Sequence, residues 1–570
     1  MAMTRNRITD IDDDPDAGES AGDAPRFWRI SGIGLLAAAL FFAASLTPSL
    51  MPRPPLLQGA LSGLSAGIGY LIGALLLWLW RALELPMSEG AAERGWRAAL
   101  ALVALAICGW ALWNAADWQN ATHRVMDLPP VDTIHPLIVA PVALVVFAVL
   151  WLAGSAVGFV ARRAGRALSR VMPGRTGPVL GVAVALLLVW ALVNDVLVTR
   201  VMSAADASFA AAEQIFDPGT EDAPTDPTMT GGPGSLVTWE DLGNRGRDFI
   251  SRTPSAEEIA GFWGAGAQRP VRVYVGRVSA ETARERAELA LAELIRQDGF
   301  EREILIVTTP VGTGWMDPGS HDAVDFMWGG DTAHVAAQFS YLTSVLSILT
   351  NVEYGLDQAR ALFDVIYGHW ASLPEDARPE LYIHGLSQGA LNSQATLPFA
   401  DILADPPAGA LWAGSPFLSP VWAGVRERRV PGSPEWRPKY GNGSLVRVTN
   451  QENVLDDPAF APWGPMRLVF LHYGSDPIVN FDFGTIWRAP DWLKDQRPPD
   501  VPPEMRWYPI VTAFQLTLDM TTALGVEGFG HFYVADDYID AWAALTDPPD
   551  WSAARADDLR AVFAERPPPW

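Results

Sequence analysis

Five apolar stretches, at residues 30–46, 57–80, 98–113, 137–160 and 179–198, crowd the first 200 residues, and the rest of the chain has nothing like them. Most approach the ~20 residues a helix needs to cross hydrocarbon, where each backbone polar group must be satisfied within its own segment. The pattern predicts an N-terminal all-α transmembrane bundle of about five spans over residues 26–200. Hydrophobic residues make up 49% of the chain, yet the net charge is -24, so the two properties must lie in different regions. Acids gather in residues 1–25 and in the C-terminal half. The first of these carries Asp10-Ile11-Asp12-Asp13-Asp14 among Gly and Ala and is expected to be a disordered tail. Its acidity also sets it apart from the basic start of a secretory signal.

The acidic balance excludes nucleic acid as a partner, because phosphate binding needs clustered Lys and Arg. Cys108 is the single cysteine, so no intrachain disulfide is possible. Arginines set the orientation. Arg162-Arg163-Ala164-Gly165-Arg166, with Arg170 and Arg175, joins the fourth and fifth stretches. Arg26, Arg29, Arg81, Arg94 and Arg97 fall on the same side by parity. These loops are expected to be cytoplasmic, which makes the chain a multi-pass protein of the cytoplasmic (inner) membrane. Its N-terminus is then cytoplasmic and its C-terminal half extracytoplasmic. Asp195 is the nearest ionisable residue to a span interior, which speaks against transport.

Residues 201–236 are rich in Ala, Asp, Pro, Gly and Thr and read as a linker. Beyond them, residues 271–275, 303–308, 381–384 and 467–471 read as strands, and residues 281–295 and 356–370 as helices. Strands alternating with helices of this length predict a mostly parallel sheet with helices on both faces, over residues 237–570.

Gly385-Leu386-Ser387-Gln388-Gly389 matches the G-x-S-x-G elbow, in which a serine occupies a strained strand-to-helix turn. Gly63-Leu64-Ser65-Ala66-Gly67 matches the same pattern inside the second apolar stretch, where small residues serve helix packing. Only Ser387 is preceded by a strand, Leu381-Tyr382-Ile383-His384, and followed by a helical segment. A serine hydroxyl attacks at neutral pH only if a histidine takes its proton and an acid orients that histidine. In an α/β-hydrolase the order is Ser, acid, His. Of eight histidines only His472 and His531 follow the serine. Asp476 ends the strand at 467–471, and His531 alone follows it, in Gly528-Phe529-Gly530-His531. Ser387, Asp476 and His531 are therefore the expected triad, with His384 and His472 structural. The backbone N–H of Gln388 is one expected oxyanion donor, and Gly276 or Arg277 after the first strand supplies the second. Residues 309–315 are the rival for that second role. Asp317, His321, Asp322, Asp331 and His334 could be drawn as a metal cluster, but their spacing matches no ligand motif.

The chain resembles a family of bacterial membrane proteins in which an α/β-hydrolase domain follows an N-terminal transmembrane region. The resemblance is carried by Val271-Arg272-Val273-Tyr274-Val275-Gly276, Thr309-Pro310, Gly312-Thr313-Gly314-Trp315 and Gly330-Asp331-Thr332-Ala333. Gln338-Phe339-Ser340-Tyr341-Leu342, Ser475-Asp476-Pro477, Pro490-Asp491-Trp492-Leu493 and Gly530-His531 complete it. At the elbow the flanks are Leu386 and Gln388 where the family tends to have Glu and Leu, a departure that bears on substrate preference. The resemblance implies fold and hydrolase class and no defined substrate. The expected activity is acyl-ester hydrolysis through an acyl-enzyme, with the lipid bilayer and an acyl-ester or lipid-like substrate as partners and no cofactor or metal. An acyltransferase with the same triad, or a binding or transport-associated protein, is the alternative. Trp487, Trp492 and Trp507, between acid and histidine, are expected in a cap, either lining an acyl pocket or serving as core and interface anchors.

Overall fold

A computed structural model describes residues 31–86, 90–170, 176–191, 220, 222–341, 352–494 and 496–566. The acidic tail, the end of the fifth apolar stretch and most of the segment read as linker lie outside the described residues.

The apolar region forms five helices: α1 (Gly32–Ser45), α2 (Pro55–Ala82), α3 (Gly90–Val125), α4 (Pro136–Leu168) and α5 (Thr176–Ala191). Three of them, α2, α3 and α4, contain segments long and apolar enough to cross a membrane, while Gly32–Ser45 and Val179–Ala191 are shorter apolar helices. Ser31 caps α1 by accepting the Gly34 N–H (3.0 Å), and α2 starts on a proline, whose missing N–H costs nothing in the first turn. Glycines let these helices approach closely: a Cβ on Gly63 would lie 2.6 Å from the Ala143 carbonyl of α4, and one on Gly73 2.8 Å from Gly34 of α1. Large apolar side chains such as Leu105, Trp113, Leu137 and Leu144 point outward, as expected where the surroundings are lipid.

The second unit is built on a seven-stranded sheet: β1 (Val271–Val275), β2 (Ile304–Thr309), β3 (Thr332–Ala337), β4 (Glu380–Leu386), β5 (Gly409–Ala413), β6 (Val446–Thr449) and β7 (Arg467–Leu471). All paired strands are parallel, in the order β1-β3-β2-β4-β5-β7-β6. Nearly every strand residue is buried, because helices cover both faces. One core joins Val273, Leu305 and Val307 to Leu294, Ile366 and Ala390; the other joins Ile304 and Ile306 to Phe326, Ile539 and Trp542. The expected strands at 271–275 and 467–471 coincide with β1 and β7, and those at 303–308 and 381–384 fall on β2 and β4; β3, β5 and β6 were not anticipated. Residues 222–236, within the segment read as linker, are fastened to this unit. Thr230 Oγ1 donates to the Arg272 carbonyl (2.9 Å) and the Leu236 N–H to Glu293 Oε2 (3.0 Å).

Between β7 and His531 the chain forms a cap with helices at Pro477–Asn480, Asp491–Lys494 and Val511–Asp519. Its core gathers Phe481, Trp492, Leu493, Met505 and Leu516 with Leu50 and Met51 from the α1–α2 connection. Trp492 is buried there, its Nε1–H donating to the Asn480 carbonyl (3.1 Å), and Trp507 Nε1–H donates to Thr485 O (2.8 Å). Trp487 is exposed. Trp492 thus serves the cap's own core rather than the wall of a pocket.

Candidate active site

β4 delivers Ser387 at φ 57°, ψ -124°, and the helix Gln388–Thr396 leaves directly from it. A non-glycine residue with positive φ is strained and persists only where its surroundings fix it. Here the Ser387 N–H donates to the Ala413 carbonyl at the end of β5 (3.0 Å). The flanking glycines are required by space: a Cβ on Gly389 would lie 2.0 Å from the Thr309 carbonyl oxygen, and one on Gly385 2.5 Å from the Gly389 carbonyl carbon.

His531 arrives from the far side of the cap. Its ring lies over Gly414, just beyond β5, where a Cβ would come within 2.4 Å of His531 Cε1. His531 Nδ1 is 2.6 Å from Asp476 Oδ2, and the Tyr533 O–H donates to the same oxygen (2.7 Å). The other carboxylate oxygen accepts the Ile478 N–H (2.8 Å). Asp476 therefore sits fully buried with both oxygens engaged. Burial first, and the neighbouring Asp476 next, push the Tyr533 phenol well above its ordinary pKa, which keeps it a donor. With Nδ1–H bound to the carboxylate, Nε2 is left as the acceptor face of the ring. Both Ser387 Oγ and His531 Nε2 are buried without a hydrogen-bond partner among the described residues. Such groups are rare in folded proteins.

Ser475, next to the acid, ties the loops together: its N–H donates to Asp500 Oδ2 (2.8 Å) and its Oγ accepts the Gly530 N–H (2.9 Å). The His531 N–H donates to the Ala523 carbonyl (2.8 Å). Tyr533, Gly414 and Asp500 have no role in the sequence reading, although Tyr533 stands two residues from the chosen histidine, and Ser475 enters it only as part of the family resemblance.

The structure brings Ser387, Asp476, His531 and the backbone of Gln388 together at the carboxyl end of the sheet; Gly276 and Arg277 lie at that same end but follow β1, away from the strand that carries the serine. The crossover places β3 and β2 between β1 and β4. Gly276 abuts Asp241, with 1.8 Å between a Cβ on it and that carbonyl, and the Arg277 N–H donates to Gln338 Oε1 (3.3 Å). The loop that touches the elbow is the one after β2, through Thr309 and Pro310 against Gly389.

Of the residues drawn as a metal cluster, Asp322 and His334 join a network around Arg272 and Asp325, and the others bond elsewhere. Arg272 Nη2 contacts Asp322 Oδ1 (2.6 Å) and Asp325 Oδ2 (2.7 Å), and His334 Nε2 is 2.7 Å from Asp325 Oδ1. His321 Nδ1 bonds the Asp317 carbonyl (2.7 Å), and Asp331 accepts the Glu303 N–H (3.2 Å). A hydrogen-bonded serine and histidine meet elsewhere, His384 Nε2 of β4 and Ser320 Oγ (2.9 Å). There Nδ1 bonds the Leu411 carbonyl (2.9 Å), not a carboxylate, and burial lowers the imidazole pKa to about 4. His472 is also buried, accepting the Ser415 N–H (3.0 Å).

A sequence model of the "Alpha/beta-hydrolase family" matches residues 271–559, and one of the "Alpha/beta-hydrolase family N-terminus" matches residues 46–254. The chain belongs to the alpha/beta-hydrolase family. Comparisons with curated proteins and with solved structures give no match. The first model spans the sheet and reaches past His531 into the closing helices of the alpha/beta-hydrolase domain. The second begins at residue 46, at the connection between α1 and α2, so α2 to α5 lie within a region that the family shares.

Proposed function

We propose that the protein is a membrane-bound serine hydrolase that cleaves carboxylic esters through an acyl-enzyme on Ser387. The observation that carries this reading is the convergence, at one end of the sheet, of a strained, buried Ser387 and a buried His531 whose Nδ1 is held by Asp476, with Ser387 Oγ and His531 Nε2 both lacking a hydrogen-bond partner among the described residues. His531 Nε2 takes the Oγ proton as Oγ bonds to the substrate carbonyl carbon. The resulting imidazolium is stabilised by Asp476, itself fixed by Tyr533 and the Ile478 N–H. The developing oxyanion is received by the Gln388 N–H together with an N–H from residues 309–315. Collapse breaks the ester C–O bond, and His531 returns the proton to the leaving alkoxide. Water, activated by the same imidazole, then releases the acid and restores the serine.

A fluorophosphonate probe on the detergent-solubilised full chain tests this. Labelling at Ser387 that disappears in Ser387→Ala supports it; absence of labelling in folded protein, or equal labelling of the variant, refutes it. The arginine-rich connections support a catalytic domain that lies outside the cytoplasm. A reporter active only outside the cytoplasm, fused after Trp570, is then active, whereas one fused within residues 162–175 is silent.

A further inference from the structure

The connection between α1 and α2 does more than join two apolar helices. Residues 46–54 leave the bundle and enter the cap, where Leu50 and Met51 are buried in its core. They are held on one side through Asp519, at the end of the cap helix Val511–Asp519. Its fully buried carboxylate accepts from Ser49 Oγ, from the Leu50 N–H (3.1 Å) and from Arg53 Nε (2.8 Å). Arg53 is braced in turn by the Ser45 carbonyl (3.2 Å) and Gln58 Oε1 (2.6 Å) of the bundle. Four residues beyond Asp519, the Ala523 carbonyl accepts the N–H of His531.

On the other side the contact is direct. Gly530 has φ +61°, and a Cβ there would lie 2.7 Å from Met51 Sδ, 2.9 Å from Met51 Cε and 2.5 Å from the Ala523 carbonyl oxygen. The Gly530 N–H is meanwhile bound to Ser475 Oγ, beside the acid. The loop carrying His531 is thus pinned between the acid's own loop and a methionine that belongs to the membrane bundle.

We infer that Met51 is a positioning residue for catalysis: the α1–α2 connection sets the pose of His531, so the bundle is part of the catalytic apparatus as well as an anchor. This rests on the triad reading above. The chemistry is demanding, since a displacement of about 1 Å at a reacting group can cost on the order of 100-fold in rate. Met51 does not bond the imidazole, so its truncation acts through the backbone of Gly530 and His531.

The test uses the full chain in detergent, with a short-chain p-nitrophenyl ester and the fluorophosphonate probe. Met51→Ala is expected to lower kcat and the labelling rate at Ser387 by about tenfold or more with KM little changed. Met51→Leu, which refills the volume, is expected to restore both. Ser49→Ala, which removes one donor to Asp519, is expected to give a smaller fall of the same kind and decides the matter should Met51→Ala not fold. Turnover and labelling within twofold of the unaltered protein in folded Met51→Ala, or in Ser49→Ala where the former does not fold, overturn the inference while leaving the triad intact. A fall in Met51→Ala that Met51→Leu does not restore also overturns it. No labelling at Ser387 in the unaltered protein overturns the triad reading, and the inference with it.

Discussion

Two segments of this chain spell G-x-S-x-G, and each glycine in both is there because something lies too close for a side chain. At Gly63 and Gly67 the close neighbours are the Ala143 carbonyl and Leu150 of α4; at Gly385 and Gly389 they are the backbone of the elbow itself and of Thr309. The serines are alike too, since Ser65 and Ser387 are both buried with a hydroxyl that lacks a partner among the described residues. What separates them is backbone and company. Ser65 sits inside the regular helix α2, whereas Ser387 is held at positive φ beside a histidine that is itself unpartnered at Nε2 and bound to a carboxylate. The motif therefore records a need for close approach, and chemistry is added only by the strain and by what converges on the serine.

Hydrolysis should split the two segments most sharply. Ser387→Ala is expected to lower kcat on the order of 10⁶-fold, as losing a triad nucleophile does elsewhere, and Ser65→Ala to leave turnover within twofold. Comparable losses from both substitutions in folded protein would dissolve the distinction. Next in size is Asp476→Asn, which keeps the shape but offers His531 an amide. A loss on the order of 10⁴-fold in kcat is expected from the wrong tautomer. Retained activity would mean that Tyr533 and backbone donors around position 476 suffice to orient the ring.

Which parts of this were legible beforehand follows from locality. β4, the elbow and its helix lie in one continuous segment, so strand, strained turn and helix could be read together. The triad order needed only the sequence of Ser387, Asp476 and His531, and few histidines competed. β3 and β5 escaped because Thr332-Ala333-His334-Val335-Ala336-Ala337 and Gly409-Ala410-Leu411-Trp412-Ala413 are alanine-rich, buried on both faces and without alternation. His334, drawn with a metal cluster whose spacing matches no ligand motif, is a strand residue paired with Asp325. The second oxyanion donor was placed after β1 because chain order does not reveal strand order; the crossover that puts β2 beside β4 is a tertiary fact. The docking of Met51 on Gly530 joins distant parts of the chain and leaves no local trace.

A third serine sharpens the contrast. Ser320 meets His384 at 2.9 Å, closer to a visible dyad than Ser387, whose hydroxyl bonds nothing, yet that histidine is oriented by a carbonyl and buried as the neutral ring. Its folded pKa of about 4 lies below the 6.5 usual for a histidine. Its contribution to stability is thus fully present above about pH 6.5 and is lost as pH falls toward 4. The expected outcome is that the stability gap between the unaltered protein and His384→Asn narrows over that window, by on the order of 3 kcal/mol. Denaturant melts at pH 7.5 and pH 4.5 measure it; a gap that widens on acidification would mean that the His384 ring is charged in the fold and belongs to a working pair.

The smallest effect is the one expected of Ser65 on stability, and its sign carries the argument. Ser62, one turn earlier in α2, has a satisfied hydroxyl, bonded by Ser45 Oγ (2.8 Å) and Gln58 Nε2 (3.0 Å). Ser62→Ala leaves one Gln58 amide N–H without its acceptor, Ser45 Oγ keeping the Phe42 carbonyl (2.6 Å), and should cost about 1–3 kcal/mol. The Ser65 hydroxyl is buried without a partner, so Ser65→Ala removes a desolvated polar group and should leave the melting temperature unchanged or raise it, by the equivalent of about 1 kcal/mol at most. If Ser65→Ala instead destabilises the bundle as much as Ser62→Ala, the hydroxyl has a partner in the membrane. The small residues of α2 would then be holding a polar contact as well as allowing the helices to close, and Ser65 would no longer be the inert member of the pair.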